Sequence, residues 1–224
     1  MFILYAMLLS ISEGVPQSFT HLKRVHPTFY VDPSINCTEK VKRPKLPEED
    51  TGYSGPPTDI LCVFKLNERP TLLTFNPGPS DDPWFTITDI KTGKRLLDTG
   101  GDTLYMTKKN TLYIAAQTNE MFKHRRKYTF DGKTFTEVKQ PYYYVGQKTK
   151  VQRVDDKKPV AITLYQDKSK KKSVAVLPEG SEIEILLSDD PKWYLVRSSF
   201  GLVGWVEINE YAFKTPIGLR FNGD

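Results

Sequence analysis

Short apolar runs alternating with polar residues at period two, broken at Gly, Pro, Asn and Asp, fill most of this chain, and nowhere do apolar residues recur over a long stretch at helical spacing. The pattern predicts a mainly β protein. Ile60-Leu61-Cys62-Val63-Phe64 reads as a strand buried on both faces. Trp84 to Ile90 leads through Lys91-Thr92-Gly93-Lys94 into Arg95-Leu96-Leu97, and Thr103 to Met106 and Thr111 to Ala115 flank Lys108-Lys109-Asn110. Lys127 to Phe130 and Thr134 to Val138 join through Asp131-Gly132-Lys133, and Asp-Gly between alternating apolar residues is a strong hairpin signal. These runs predict an N-terminal antiparallel β meander domain over 59–140.

Upstream, 1–14 is a signal-like apolar segment and 15–58 reads as an extended Pro-rich arm, which Ile35 and the pair Phe29-Tyr30 can anchor to the meander. Downstream, 141–159 reads as a linker opening with Tyr142-Tyr143-Tyr144. Those tyrosines are either an exposed stacking surface or a strand with one face on a domain interface. Five further strands follow within 160–210: Ala161–Tyr165, Val174–Leu177, Glu182–Leu187, Trp193–Arg197 and Val203–Val206. Residues 211–224 are left as a C-terminal tail.

This last unit resembles bacterial SH3 domains. The resemblance rests on Val174, Leu177 and Gly180 as a "V-x-x-L-x-x-G" stretch, on the alternating strand after it, on Trp193, Tyr194 and Val196 as "W-Y-x-V", and on Gly201, Gly204, Trp205 and Val206 as "G-x-x-G-W-V". It implies a small SH3-like β-barrel in which Gly180 and Gly204 admit turns that a Cβ would obstruct. It also implies a groove with aromatic faces, for which Tyr165, Trp193, Tyr194 and Trp205 are the ligand-binding candidates. Core packing is the alternative for both indoles. One family feature is missing. Where many members carry "N-V-R-x-G-P", Thr163-Leu164-Tyr165-Gln166-Asp167 stands here, followed by lysines, so cell-wall binding does not carry over through that segment.

Composition sharpens the picture in two places. The net charge of +5 is uneven: Cys62 to Lys150 holds 15 Lys/Arg against 9 Asp/Glu, and Val160 to Glu210 holds 6 against 8. The densest basic run gives Lys123, Arg125, Arg126 and Lys127 as a candidate anion-binding patch, the alternative being a charged connection between strands. Its charge and aromatic content do not predict nucleic-acid binding. The only two cysteines, Cys37 and Cys62, enclose a Pro- and Gly-rich segment and predict a disulfide in an exported protein; Asn36-Cys37-Thr38 also fits a glycosylation sequon. Met1 to Ser10 is apolar, too short to span a bilayer and of a length that suits a secretory signal, although no Lys or Arg precedes it. A short N-terminal core segment is the other reading.

Catalysis finds no residue set. Neither cysteine sits in a nucleophile motif, the three histidines, His21, His26 and His124, do not cluster with them at metal-ligand spacing, and no glycine-rich phosphate loop occurs. The expectation is a non-catalytic, cofactor-free, periplasmic or extracellular binding protein whose partner is a cell-envelope component, peptidoglycan or an envelope protein. The alternatives are a structural protein whose barrel only packs on the N-terminal domain, and an accessory subunit of a cell-wall hydrolase.

Overall fold

The computed structural model describes residues 15–38, 58–78, 82–108, 110–117, 120–154, 160–189, 192–208 and 215–219. The signal-like segment 1–14 and most of the Cys37–Cys62 loop lie outside them. Among the described residues, all regular structure is strand apart from one 3-10 turn, η1 (Gln17–Phe19). No helix there is long and apolar enough to cross a membrane.

The expected meander is split between two facing sheets. β3 (Asp59–Leu66), β4 (Arg69–Asn76), β5 (Trp84–Asp89) and β6 (Arg95–Gly100) form a four-stranded antiparallel sheet. β7 (Thr103–Thr107), β8 (Thr111–Ala116), β9 (His124–Phe130) and β10 (Phe135–Glu137) continue the up-and-down order in a second sheet. Each sheet has one apolar face, and two such faces are removed from water only by meeting. Leu73, Phe85 and Ile87 of the first sheet and Leu104, Leu112 and Ile114 of the second accordingly share one core. At the last hairpin, the Asp131 carboxylate accepts the amides of Lys133 (2.7 Å) and Thr134 (2.8 Å).

Residues 15–38 are more regular than an extended arm. β1 (Lys23–His26) and β2 (Phe29–Val31) form a hairpin, and β2 runs parallel to β7, which extends the second sheet to six strands. Phe29 is fully buried in the shared core and Ile35 packs against it. Cys37 is disulfide-bonded to Cys62 of β3, with a Cα–Cα distance of 5.4 Å. Thr38 beside it exchanges two backbone hydrogen bonds with Val63 (2.9 and 3.0 Å), so the bridge pins the arm to the edge of the four-stranded sheet.

The C-terminal unit is a third antiparallel sheet, and it gains a strand from the expected linker. β11 (Tyr143–Lys150) joins β12 (Ala161–Tyr165), β13 (Ser173–Pro178), β14 (Glu182–Ser188), β15 (Trp193–Ser198) and β16 (Val203–Glu207) in the order β11-β14-β15-β16-β12-β13. β14 is therefore paired on both sides, by β15 and by β11, and β13 has no edge of β14 on which to close the barrel. The result is a six-stranded sheet around one core, with β11 and β13 as its edges. Gly204 is needed for space, since a Cβ there would lie 2.7 Å from the Leu164 Cβ and 2.9 Å from the Tyr165 carbonyl oxygen. At Gly180 a Cβ would meet nothing within 4 Å, and the requirement is its φ of 86°. Ile217 and Leu219, from the expected tail, are buried in the same core.

The two bodies meet through the segment that enters β9. Met121 and Phe122 are buried in the C-terminal core. Tyr143 of β11 stacks on His124 at 4.8 Å between ring centroids and donates to Glu137 (3.0 Å). Of the three consecutive tyrosines, Tyr143 lies at this joint, while Tyr142 and Tyr144 are exposed.

Candidate binding site

Alternation along β7 and β8 buries Leu104, Met106, Leu112 and Ile114 and turns Tyr105 and Tyr113 to the opposite face of the sheet. The two tyrosines are register partners across the hairpin. Phe19 of η1 lies against them, stacked on Tyr105 with centroids 4.6 Å apart and 5.0 Å from Tyr113. Next in the sheet comes β9, where Arg125 stands opposite Ala115 and Lys127 opposite Tyr113. The basic run given as a candidate anion-binding patch, with a connection between strands as the alternative, is mostly part of strand β9, which sorts its side chains by face.

A cleft of about 820 Å³ opens over this surface, and Lys123, Arg125, Arg126 and Lys127 all line it. Tyr105, Tyr113 and Phe19 contribute aromatic surface, and Tyr144 enters from β11 of the other body. No carboxylate is among the lining residues. The Lys127 ammonium lies 6.0 Å from the Tyr113 ring centroid. Tyr144, 61% exposed, is placed by a bulge in β11 at Gly146, whose φ is 65° and whose Cβ, if present, would fall 2.5 Å from the Tyr144 ring.

Behind the cleft, Arg126 is held rather than displayed. Its guanidinium bonds Glu120 and donates to the His124 Nδ1 (3.1 Å), which assigns the imidazole proton to Nε2, 3.5 Å from the Glu120 carboxylate. His124 is 1% exposed, its ring between Phe122 (4.1 Å) and Tyr143. Burial, helped by the Arg126 charge, lowers its pKa to about 4. Next to Thr103 of the cleft lining, burial pushes the Asp102 carboxyl up, while the charge of Lys123 and the Gln117 amide act in the opposite direction.

Of the residues expected to line an aromatic groove, Trp193, Trp205 and Tyr165 take one face of the sheet and Tyr194 the opposite, core face. Tyr194 is fully buried, with its ring edge-on to Phe122 at 6.2 Å, and offers nothing to a ligand. Trp193 is 8% exposed and lies beneath the Lys170 ammonium at 5.5 Å. Trp205 and its cross-strand partner Tyr165 are half-buried, and the Lys168 ammonium sits 4.4 Å from the Trp205 ring centroid. Lysines of the β12–β13 loop therefore occupy the ground that the groove was expected to leave open.

The cysteines are joined to each other and are not thiols, and no group of three or more His, Cys, Asp or Glu among the described residues is arranged to hold a metal. Sequence reasoning found the four cations of the cleft and missed its aromatic floor. The signal was present: in both β7 and β8 a tyrosine takes a position that alternation assigns to the polar face. Comparison with family models, with curated proteins and with solved structures gives no match, so the reading of this site rests on its own geometry.

Proposed function

We propose that this chain is a non-catalytic binding protein that holds an anionic polymer in the cleft over β7, β8 and β9, with the C-terminal sheet as an SH3-like second body. The observation that carries the reading is the convergence of Lys123, Arg125 and Lys127 on one cleft floored by Tyr105 and Tyr113, with Arg126 held behind them by Glu120. Cations of this kind grip carboxylates or phosphates, and the flat faces of Tyr105, Tyr113 and Tyr144 stack on sugar or other rings of the same ligand. An exported location and an envelope polymer such as peptidoglycan are supported by the signal-like start, the Cys37–Cys62 disulfide and the resemblance of the last unit.

Co-sedimentation of the purified chain with cell-wall sacculi tests this. The wild type is expected to be retained at low salt and released as ionic strength rises, and the combined variant Lys123→Ala, Arg125→Ala, Lys127→Ala to bind at least tenfold more weakly. Absence of retention, or retention that the triple variant leaves unchanged, would remove the proposal. The structural alternative, in which the C-terminal unit only packs on the sandwich, draws on the burial of Met121, Phe122 and Tyr143 at the joint. It predicts no retention at all.

A further inference from the structure

Three side chains from separate parts of the C-terminal unit surround the Lys168 ammonium. Trp205 of β16 presents its ring at 4.4 Å from the nitrogen, Tyr142 at 5.3 Å, and the Asp189 carboxylate lies 2.5 Å away. The two rings meet at a tilt of 37° with centroids 5.7 Å apart, and together with the carboxylate they bound the place of the ammonium on three sides, a recess in that sense. This is the composition that favours an alkylammonium ion: π faces attract the charge electrostatically, and a carboxylate both accepts its hydrogen bond and balances it. Two of its three sides are held without Lys168, since Asp189 also accepts the Trp193 amide (2.9 Å) and Trp205 is fixed by strand pairing to Leu195 and Tyr165.

We infer that this recess is a binding site for the side-chain ammonium of a lysine- or diamino-acid-bearing peptide or polymer, and that Lys168 fills it in the unliganded chain. Lys168 belongs to the β12–β13 loop, and its side chain is 36% exposed, so it can swing out without disturbing the core. An intramolecular occupant competes at high effective concentration. A ligand must therefore displace it, and a chain lacking it binds the same ligand at lower concentration. The neighbouring Lys170 does not substitute for it, because its ammonium is bound to Glu207 over Trp193. The inference is independent of the anionic cleft, which lies on the other body.

The test uses the full chain with n-butylammonium as probe and n-butanol as its uncharged counterpart. The indole N–H signals of the three tryptophans are followed by NMR and assigned with Trp205→Phe. In Lys168→Ala, the Trp205 signal is expected to shift saturably with n-butylammonium and not with n-butanol. Its midpoint should be at least fivefold lower than in the wild type, and adding Asp189→Asn should abolish saturation. The Trp84 signal, on the sandwich, reports that the fold is intact, and Lys168→Met serves if the alanine variant is unstable. In the wild type, the Lys168 methylene protons should show upfield ring-current shifts that vanish in Trp205→Phe. A Trp205 signal that does not respond in a folded Lys168 variant, a smaller difference in midpoint, or an equal response to n-butanol would overturn the inference.

Discussion

Acid should unfold this protein partly through one residue, His124. Its folded pKa of about 4 lies below the ordinary value of 6.5, so as pH falls the unfolded chain takes up the imidazole proton first. Between those two values the unfolded state binds more protons, and stability declines with falling pH. The contribution is complete above pH about 6.5 and lost as pH approaches about 4. At about 1.4 kcal/mol per pKa unit, a displacement of this size amounts to roughly 3 kcal/mol, a large share of the stability of an ordinary domain. The side chain is only 1% exposed, so solvent screens little of this difference. Its surroundings also oppose the charge, since Nδ1 already accepts a hydrogen bond from Arg126 and the nearby Glu120 carboxylate is engaged by the same guanidinium.

Urea denaturation followed by tryptophan fluorescence, from pH 7.5 down to 4.5, measures the effect. Carboxylates also titrate in the lower half of that window, so the comparison is with His124→Gln, which keeps a hydrogen-bonding side chain but does not titrate. The variant is expected to be less stable than the wild type at pH 7.5 and to close most of the gap by pH 4.5. Parallel stability curves for the two proteins, or a native-state NMR titration of the His124 ring with its midpoint near 6.5, would refute the reasoning.

Two further outcomes follow from the packing. Gly204→Ala places a methyl group against the Leu164 Cβ and the Tyr165 carbonyl oxygen and should destabilise the C-terminal sheet by about 1–3 kcal/mol. Thermal unfolding and the Trp205 environment would report this, and a wild-type melting temperature would contradict it. Replacing both Cys37 and Cys62 by Ser frees the arm from β3 and should cost about 2–4 kcal/mol, read as a lower urea midpoint that matches the reduced wild type; an unchanged midpoint would mean that β2 alone holds the arm.

The strands of the β7–β8 hairpin were legible because one face is buried and the other is not, whereas β2, too short to show a period, was read as part of the arm. β7 and β8 alternate without interruption, and the Asp131-Gly132 turn between β9 and β10 carries its own backbone signature. β11 escaped because it is an edge strand with only Tyr143 buried, and its alternation is broken at the Gly146 bulge. What remains, Gln147-Lys148-Thr149-Lys150, has the composition of a linker. β1 was hidden for a similar reason, with no buried position at all. The start of β9 was obscured differently: His124 is flanked by Lys123 and Arg125, and nothing local distinguishes a buried neutral imidazole from one more member of a basic cluster.

The consequence of placing that cluster on a strand bears on what the cleft can hold. Along a strand, side chains on one face recur every second residue, about 6–7 Å apart, and the neighbouring strand lies about 5 Å away. Arg125 and Lys127 of β9 therefore form a row, while Ala115 and Tyr113 of β8 stand beside them in register and Tyr105 of β7 lies one strand further on. The charged row thus runs along β9, while the two tyrosines run across the strands from its Lys127 end. A small anion would engage one end of such a row and leave the tyrosines unused. A ligand that satisfies both lines must place negative groups about 6–7 Å apart along β9 and turn a ring face onto the tyrosines beside Lys127, which a polymer segment can do and a single small anion cannot.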